Sequence, residues 1–138
     1  MPRDVFCTAI NCIDGRAQRP VWDWLRYHCN TDYVDMITEP GAEKCMVQGD
    51  AETIEAIKSK VKLSLEGHGS SVIAVAGHHD CLINPASREK HWGDIVEAAR
   101  IVASWGFNAR VIGLYVNEWF TIELVTDSKE KDASLSHL

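Results

Sequence analysis

Two short stretches of this chain bear residue types that can hold a metal ion while leaving one coordination position open. The first is Cys12-Ile13-Asp14-Gly15-Arg16, and the second is His78-His79-Asp80-Cys81. Cys12, His78 and Cys81 offer two thiolates and one imidazole. Zn²⁺ is held by four ligands in closed structural sites, so three from the protein leave room for water, as in a catalytic centre. Asp14 and Arg16, just past the first thiol, are the groups needed to orient a metal-bound hydroxide. Each stretch is weak alone. Cys12 reads equally well as a buried strand-end cysteine beside a local Asp14–Arg16 ion pair, and a single His-x-x-Cys arises by chance. Together they are strong, because each sits just past a predicted buried strand.

Cys12, Asp14 and Arg16 are spaced by two, so an extended segment projects all three to one side. His78 and Cys81, three apart, share a face if the chain turns helically there. His79 faces elsewhere and is expected behind a ligand or at the surface. Asp80 is expected to cap the turn or to hydrogen-bond the ligating imidazole, since metal-bound histidines need such a partner. His28, His68, His91 and His137 have no partner at metal spacing and read as ordinary residues. No glycine-rich phosphate loop, dinucleotide fingerprint or Ser/His/Asp elbow is present.

The elements that must position these residues follow from periodicity. Residues 5–10 form a short apolar run that ends next to Cys12, the profile of a buried strand. Residues 20–29 read as a helix with Val21, Trp22, Leu25 and Cys29 on one face. A strand over 33–37 is halted by Glu39-Pro40-Gly41. Asp50 is placed to cap a helix through Glu66, with Ile54, Ile57, Val61 and Leu65 on its inner face and Gly67 closing it. Residues 71–76 are apolar without alternation, as in a strand covered on both faces. Pro85 suits the first turn of a long helix ended by Gly106, with Trp92, Ile95, Ala99, Val102 and Trp105 along one side. Residues 109–116 form a fourth strand and 120–125 an alternating fifth.

Strands alternating with helices imply an α/β fold of three layers, with a mostly parallel sheet of four to five strands and helices on both faces. With right-handed crossovers the core order is 2-1-3-4. The switch point then falls between strands 1 and 3, where open α/β sheets bind ligands, and it carries Cys12 and His78. Residues 1–125 are read as one such domain and 126–138 as a polar tail. A net charge of −6 argues against nucleic-acid and anionic-membrane partners, and no apolar run is long enough to span a bilayer. The N-terminus lacks a secretory pattern, so a reducing cytoplasm is expected, with Cys7, Cys29 and Cys45 as free thiols and Cys7 in the core.

These motifs resemble those of the β-class carbonic anhydrases, which bear Cys-x-Asp-Ser-Arg after the first strand and Gly-His-x-x-Cys-Gly after the third. Here Gly15 stands for the serine, Leu82 for the last glycine, and no glutamine precedes Cys12. The chain looks closer to a short carbonic-anhydrase-like branch with Asp-Gly-Arg, Glu-Pro-Gly and Val-Asn-Glu-Trp. The resemblance implies zinc held by Cys12, His78 and Cys81, with Asp14 and Arg16 as the orienting dyad. It implies reversible hydration of CO₂ to bicarbonate by a metal-bound hydroxide. Only eleven residues precede Cys12, so the family's N-terminal helical arm is not expected. The five tryptophans are then assigned to core packing or to the interface of a homodimer or higher homo-oligomer. Two alternatives stay open: the same zinc chemistry on carbonyl sulfide or carbon disulfide, and a noncatalytic zinc-binding or sensing module with Asp14 in the fourth position.

Overall fold

A computed structural model describes residues 4–129. At its centre lies β3 (Val72–His78), buried along its whole length. Unbroken burial follows from its place between β1 (Phe6–Asn11) and β4 (Arg110–Val116), both parallel to it. β2 (Tyr33–Thr38) pairs in parallel outside β1, and β5 (Ile122–Asp127) closes the other edge antiparallel to β4. The sheet order is β2-β1-β3-β4-β5, so the expected 2-1-3-4 core is observed with a fifth strand added.

Side chains alternate across the strands with period two, so each strand feeds two separate cores. On one face Cys7, Ala9, Ala74, Ala76, Ile112 and Leu114 pack with Ala17, Val21 and Leu25 of α1 (Gly15–His28). On the other, Ile10, Ile37, Ile73, Val75 and Val111 meet α2 (Ala42–Gln48), α3 (Ala51–His68) and α4 (Arg88–Ser104). Ile57 and Val61 of α3 and Ala98, Ala99 and Val102 of α4 supply the apolar stripes. Among the described residues no helix is long and apolar enough to cross a membrane.

Several boundaries differ from the sequence pattern, each for a local reason. α1 starts at Gly15, not at Pro20, because the Asp14 carboxylate caps it by accepting from Arg16 N at 2.9 Å. Pro20 then lies inside the helix, and Trp22 turns outward while Ala17 takes the inner position. α2 has no counterpart in the sequence reading. Its start at the left-handed Gly41 (φ 59°) follows directly on the Glu-Pro-Gly that stops β2. α3 is closed by Gly69 (φ 68°), not Gly67. α4 begins at Arg88 because Ser87 Oγ accepts from Lys90 N at 3.1 Å, while Asn84 is drawn inside. β5 takes in Thr126 and Asp127, the latter held to Arg110 at 2.6 Å, so the polar tail does not start at 126. Residues 130–138, with His137, lie outside the described residues.

Gly113 marks the tightest helix–sheet approach. A Cβ there would sit 2.6 Å from Ile95 Cγ2 and 3.0 Å from Thr126 Cγ2. Gly113→Ala is therefore expected to destabilise the fold by about 1–3 kcal/mol through overpacking, read by urea denaturation.

Candidate metal centre

The centre is built from two chain turns at the carboxyl end of the sheet. Asn11, the buried last residue of β1, shapes the first turn. Its Oδ1 accepts from Cys12 N at 2.8 Å and its Nδ2 donates to Ala17 O at 3.0 Å, tying the strand end to the first turn of α1. Gln18 Nε2 donates to Cys12 O. Because β1 and β3 run parallel side by side, this turn faces the end of β3, where His78 is the last strand residue. The chain then turns through Asp80, in the left-handed region at φ 58°, and brings Cys81 back toward Cys12.

Cys12, His78 and Cys81 converge, all three buried, with one potential ligand atom from each lying within 4.8 Å of the others. The two sulfurs are 4.0 Å apart. That is about twice the length of a disulfide bond, yet within the roughly 4.6 Å that two Zn–S bonds of about 2.3 Å can span. His78 Nδ1 lies 2.8 Å from the carbonyl oxygen of His79. A carbonyl only accepts, so the ring proton sits on Nδ1 and Nε2 presents a lone pair. That Nε2 is buried and has no hydrogen-bond partner among the described residues. A buried acceptor without a partner is costly, and a cation between it and the two sulfurs removes the cost. The donor set therefore fits zinc.

Backbone N–H groups act on both sulfurs. Gly41 N donates to Cys12 Sγ at 3.4 Å. Burial raises the Cys81 thiol above its ordinary value, and backbone N–H groups of Asn84 and Ile83 offset that rise only in part. A bound cation would act in the same direction as those N–H groups, since metals hold thiolates rather than thiols.

Asp14 and Arg16 stand beside this cluster. The guanidinium grips both carboxylate oxygens, Nε to Oδ1 at 3.1 Å and Nη2 to Oδ2 at 2.6 Å. Those hydrogen bonds from Arg16 hold Asp14 down to about 2 and raise Arg16 in turn. Asp14 Oδ2 is 3.9 Å from His78 Nε2, so the carboxylate borders the cluster while engaged by Arg16. The two residues are not aligned by an extended run: Asp14 is the helix cap and Arg16 lies in the first turn of α1. Arg16 also donates to Asp80, Nη1 to Oδ2 at 3.3 Å and Nη2 to the carbonyl at 3.2 Å, linking the two motifs. Asp80 thus binds the arginine and not the imidazole, whose partner is the His79 carbonyl. The His79 side chain is exposed.

Sequence reasoning missed a neighbouring polar cluster. Glu43, Asn84 and His91 are buried together, with His91 Nδ1 2.8 Å from Glu43 Oε1. Its one sequence signal is a glutamate between Ala42 and Met46, both inward-facing, on a helix too short to show a period.

A mostly parallel α/β sheet with a Cys₂His cluster at its switch point defines the class of α/β domain to which the chain belongs. Within that class the chain belongs to the family described as "Putative carbonic anhydrase", whose model matches residues 2–126. No curated protein matches the chain. Among solved structures it is similar to the β-carbonic anhydrase CafA of the fungal pathogen Aspergillus fumigatus, at 12% identity and a TM-score of 0.48, over 95% of this chain and 81% of that one.

The Arg16 clamp makes a titration prediction. Asp14 is depressed from an ordinary 3.8 to about 2, so the clamp stabilises the fold fully above pH 4 and its contribution is lost as pH falls through 2. In Arg16→Ala, carboxyl NMR of the metal-free chain is expected to show Asp14 titrating at higher pH than in wild type.

Proposed function

We propose that this chain is a zinc enzyme of carbonic anhydrase type that interconverts CO₂ and bicarbonate. The observation that carries this is the buried His78 Nε2, unpartnered and converging with Cys12 Sγ and Cys81 Sγ. Membership of the carbonic anhydrase family supports the choice of CO₂. Cys12, His78 and Cys81 would hold the zinc ion. When bound, zinc supplies Lewis acidity that makes water a nucleophile near neutral pH.

The protein's part is then orientation. A carboxylate held at about 2 stays ionised at every working pH, so Asp14 is an acceptor of hydrogen bonds and not a store for the released proton. Arg16 keeps it in place with two parallel N–H bonds, the geometry that fixes a carboxylate best. The exposed His79 imidazole is suited to passing the proton to buffer.

Purified protein is expected to carry about one zinc per chain by metal analysis. Cys12→Ala, His78→Ala and Cys81→Ala should lose it. Arg16→Ala and Asp14→Asn should keep zinc while CO₂ hydration falls by about 10- to 100-fold, the usual cost of removing a group that orients a metal site. Zinc-loaded wild type inert toward CO₂ would remove the substrate assignment and leave a binding module.

We also propose a cytoplasmic homodimer. Tyr27, Leu82 and Trp119 are largely exposed, and Trp24, Tyr27, Phe120 and Ile122 line one open groove of about 650 Å³. Exposed aromatics of this kind mark association surfaces. Sedimentation at micromolar concentration should give twice the chain mass.

A further inference from the structure

The ligand candidates rest on a polar cluster drawn from three separate parts of the chain. Glu43 comes from α2, Asn84 from the loop after Cys81, and His91 from α4. Asn84 Nδ2 donates to Glu43 Oε1 at 2.8 Å, and His91 Nδ1 lies 2.8 Å from the same oxygen. Glu43 is fully buried, His91 is 1% exposed and Asn84 6%. Glu43 Oε2 and His91 Nε2 are buried without a hydrogen-bond partner among the described residues. An aliphatic residue would fill this space at far lower desolvation cost, so a carboxylate here needs a reason.

Glu43 lies in contact with, or two residues from, the segments that support all three ligand candidates. Asn84, which it holds, follows Cys81 by three residues and so anchors the loop that carries this thiol. Gly41, two residues before Glu43, gives its N–H to Cys12 Sγ, and a Cβ on it would lie 3.1 Å from Ile83 Cγ2. Gly77, immediately before His78, packs so closely that a Cβ there would be 2.9 Å from Glu43 Oε2. One buried side chain thus fixes the spacing of α2, the Cys81 loop and the end of β3.

We propose that Glu43 is a positioning residue for the metal centre, acting through Asn84 to hold the two cysteine sulfurs and His78 at ligating distance. The proposal rests on the zinc reading above. Its chemistry is that of a hydrogen-bond acceptor at Oε1, which a glutamine can also supply.

The test is titration of the full-length, metal-free chain with Co²⁺ alone, followed by thiolate charge-transfer and ligand-field absorption. Wild type should show both bands. Glu43→Ala and Asn84→Ala should retain native circular dichroism, bind Co²⁺ about 10- to 100-fold more weakly, and show a weakened ligand-field band. Glu43→Gln should restore wild-type affinity and spectrum, which a role in general stability alone would not predict. If Glu43→Ala fails to fold, Asn84→Ala decides. Unchanged affinity and spectrum in the alanine variants, or a Glu43→Gln loss as deep as that of Glu43→Ala, would overturn the proposal with the zinc reading intact. Failure of wild type to bind Co²⁺ would instead overturn the zinc reading, and this proposal with it.

Discussion

The parallel pairing of β1 with β3 is the constraint on which everything else in this molecule depends. Ile10 lies opposite Val75, so Cys12 and His78 emerge two and three residues further on at the same end of adjacent strands. Strand neighbours are about 4.8 Å apart, which sets the scale for two ligands even before any loop is placed. Parallel pairing also forces crossovers, and α2, α3 and α4 cover one face while α1 covers the other. The burial that results is what strips water from the thiols and leaves the His78 nitrogen without a partner. An edge strand could not do this, because water would solvate both groups.

Two kinds of electrostatics then operate at different depths. The Arg16 contacts are half-exposed, with the arginine side chain 48% accessible. Pairs of that kind add little to stability and are screened by salt. Their value is geometric: one planar donor group spans Asp14 and Asp80 and so joins the two motif turns. The Glu43 cluster lies on the other side of the problem. It is buried, costly to leave half-satisfied, and therefore intolerant of displacement. The Arg16 clamp therefore braces the cluster from the solvent side and the Glu43 group braces it from the core side.

The motif residues were legible because their chemistry is local. Thiols, an imidazole and a carboxylate–arginine pair at short spacing, each following an apolar run, point to a metal whatever the rest of the chain does. The strand order was legible too, since alternating periods and right-handed crossovers leave few topologies. Local geometry was less so. Asp14 and Arg16 come together through a helix cap and not through an extended run, because a carboxylate at that position bonds the backbone N–H two residues on more readily than it extends the strand. Asp80 follows the arginine for a related reason: its left-handed backbone turns the carboxylate toward α1.

By itself, then, the sequence determined the layered α/β class, the 2-1-3-4 strand order and the identity of the residues that could hold and flank a metal. These rest on residue type and on periods of two and 3.6, which are properties of neighbours along the chain. Only the tertiary structure decided that Cys12, His78 and Cys81 stand within 4.8 Å of one another and that Glu43, Asn84 and His91 meet behind them. Residues 43, 84 and 91 share no period and no motif. Their contact exists because α2, the Cys81 loop and α4 are packed onto one sheet face, and desolvation there selects partners by proximity in space rather than in sequence.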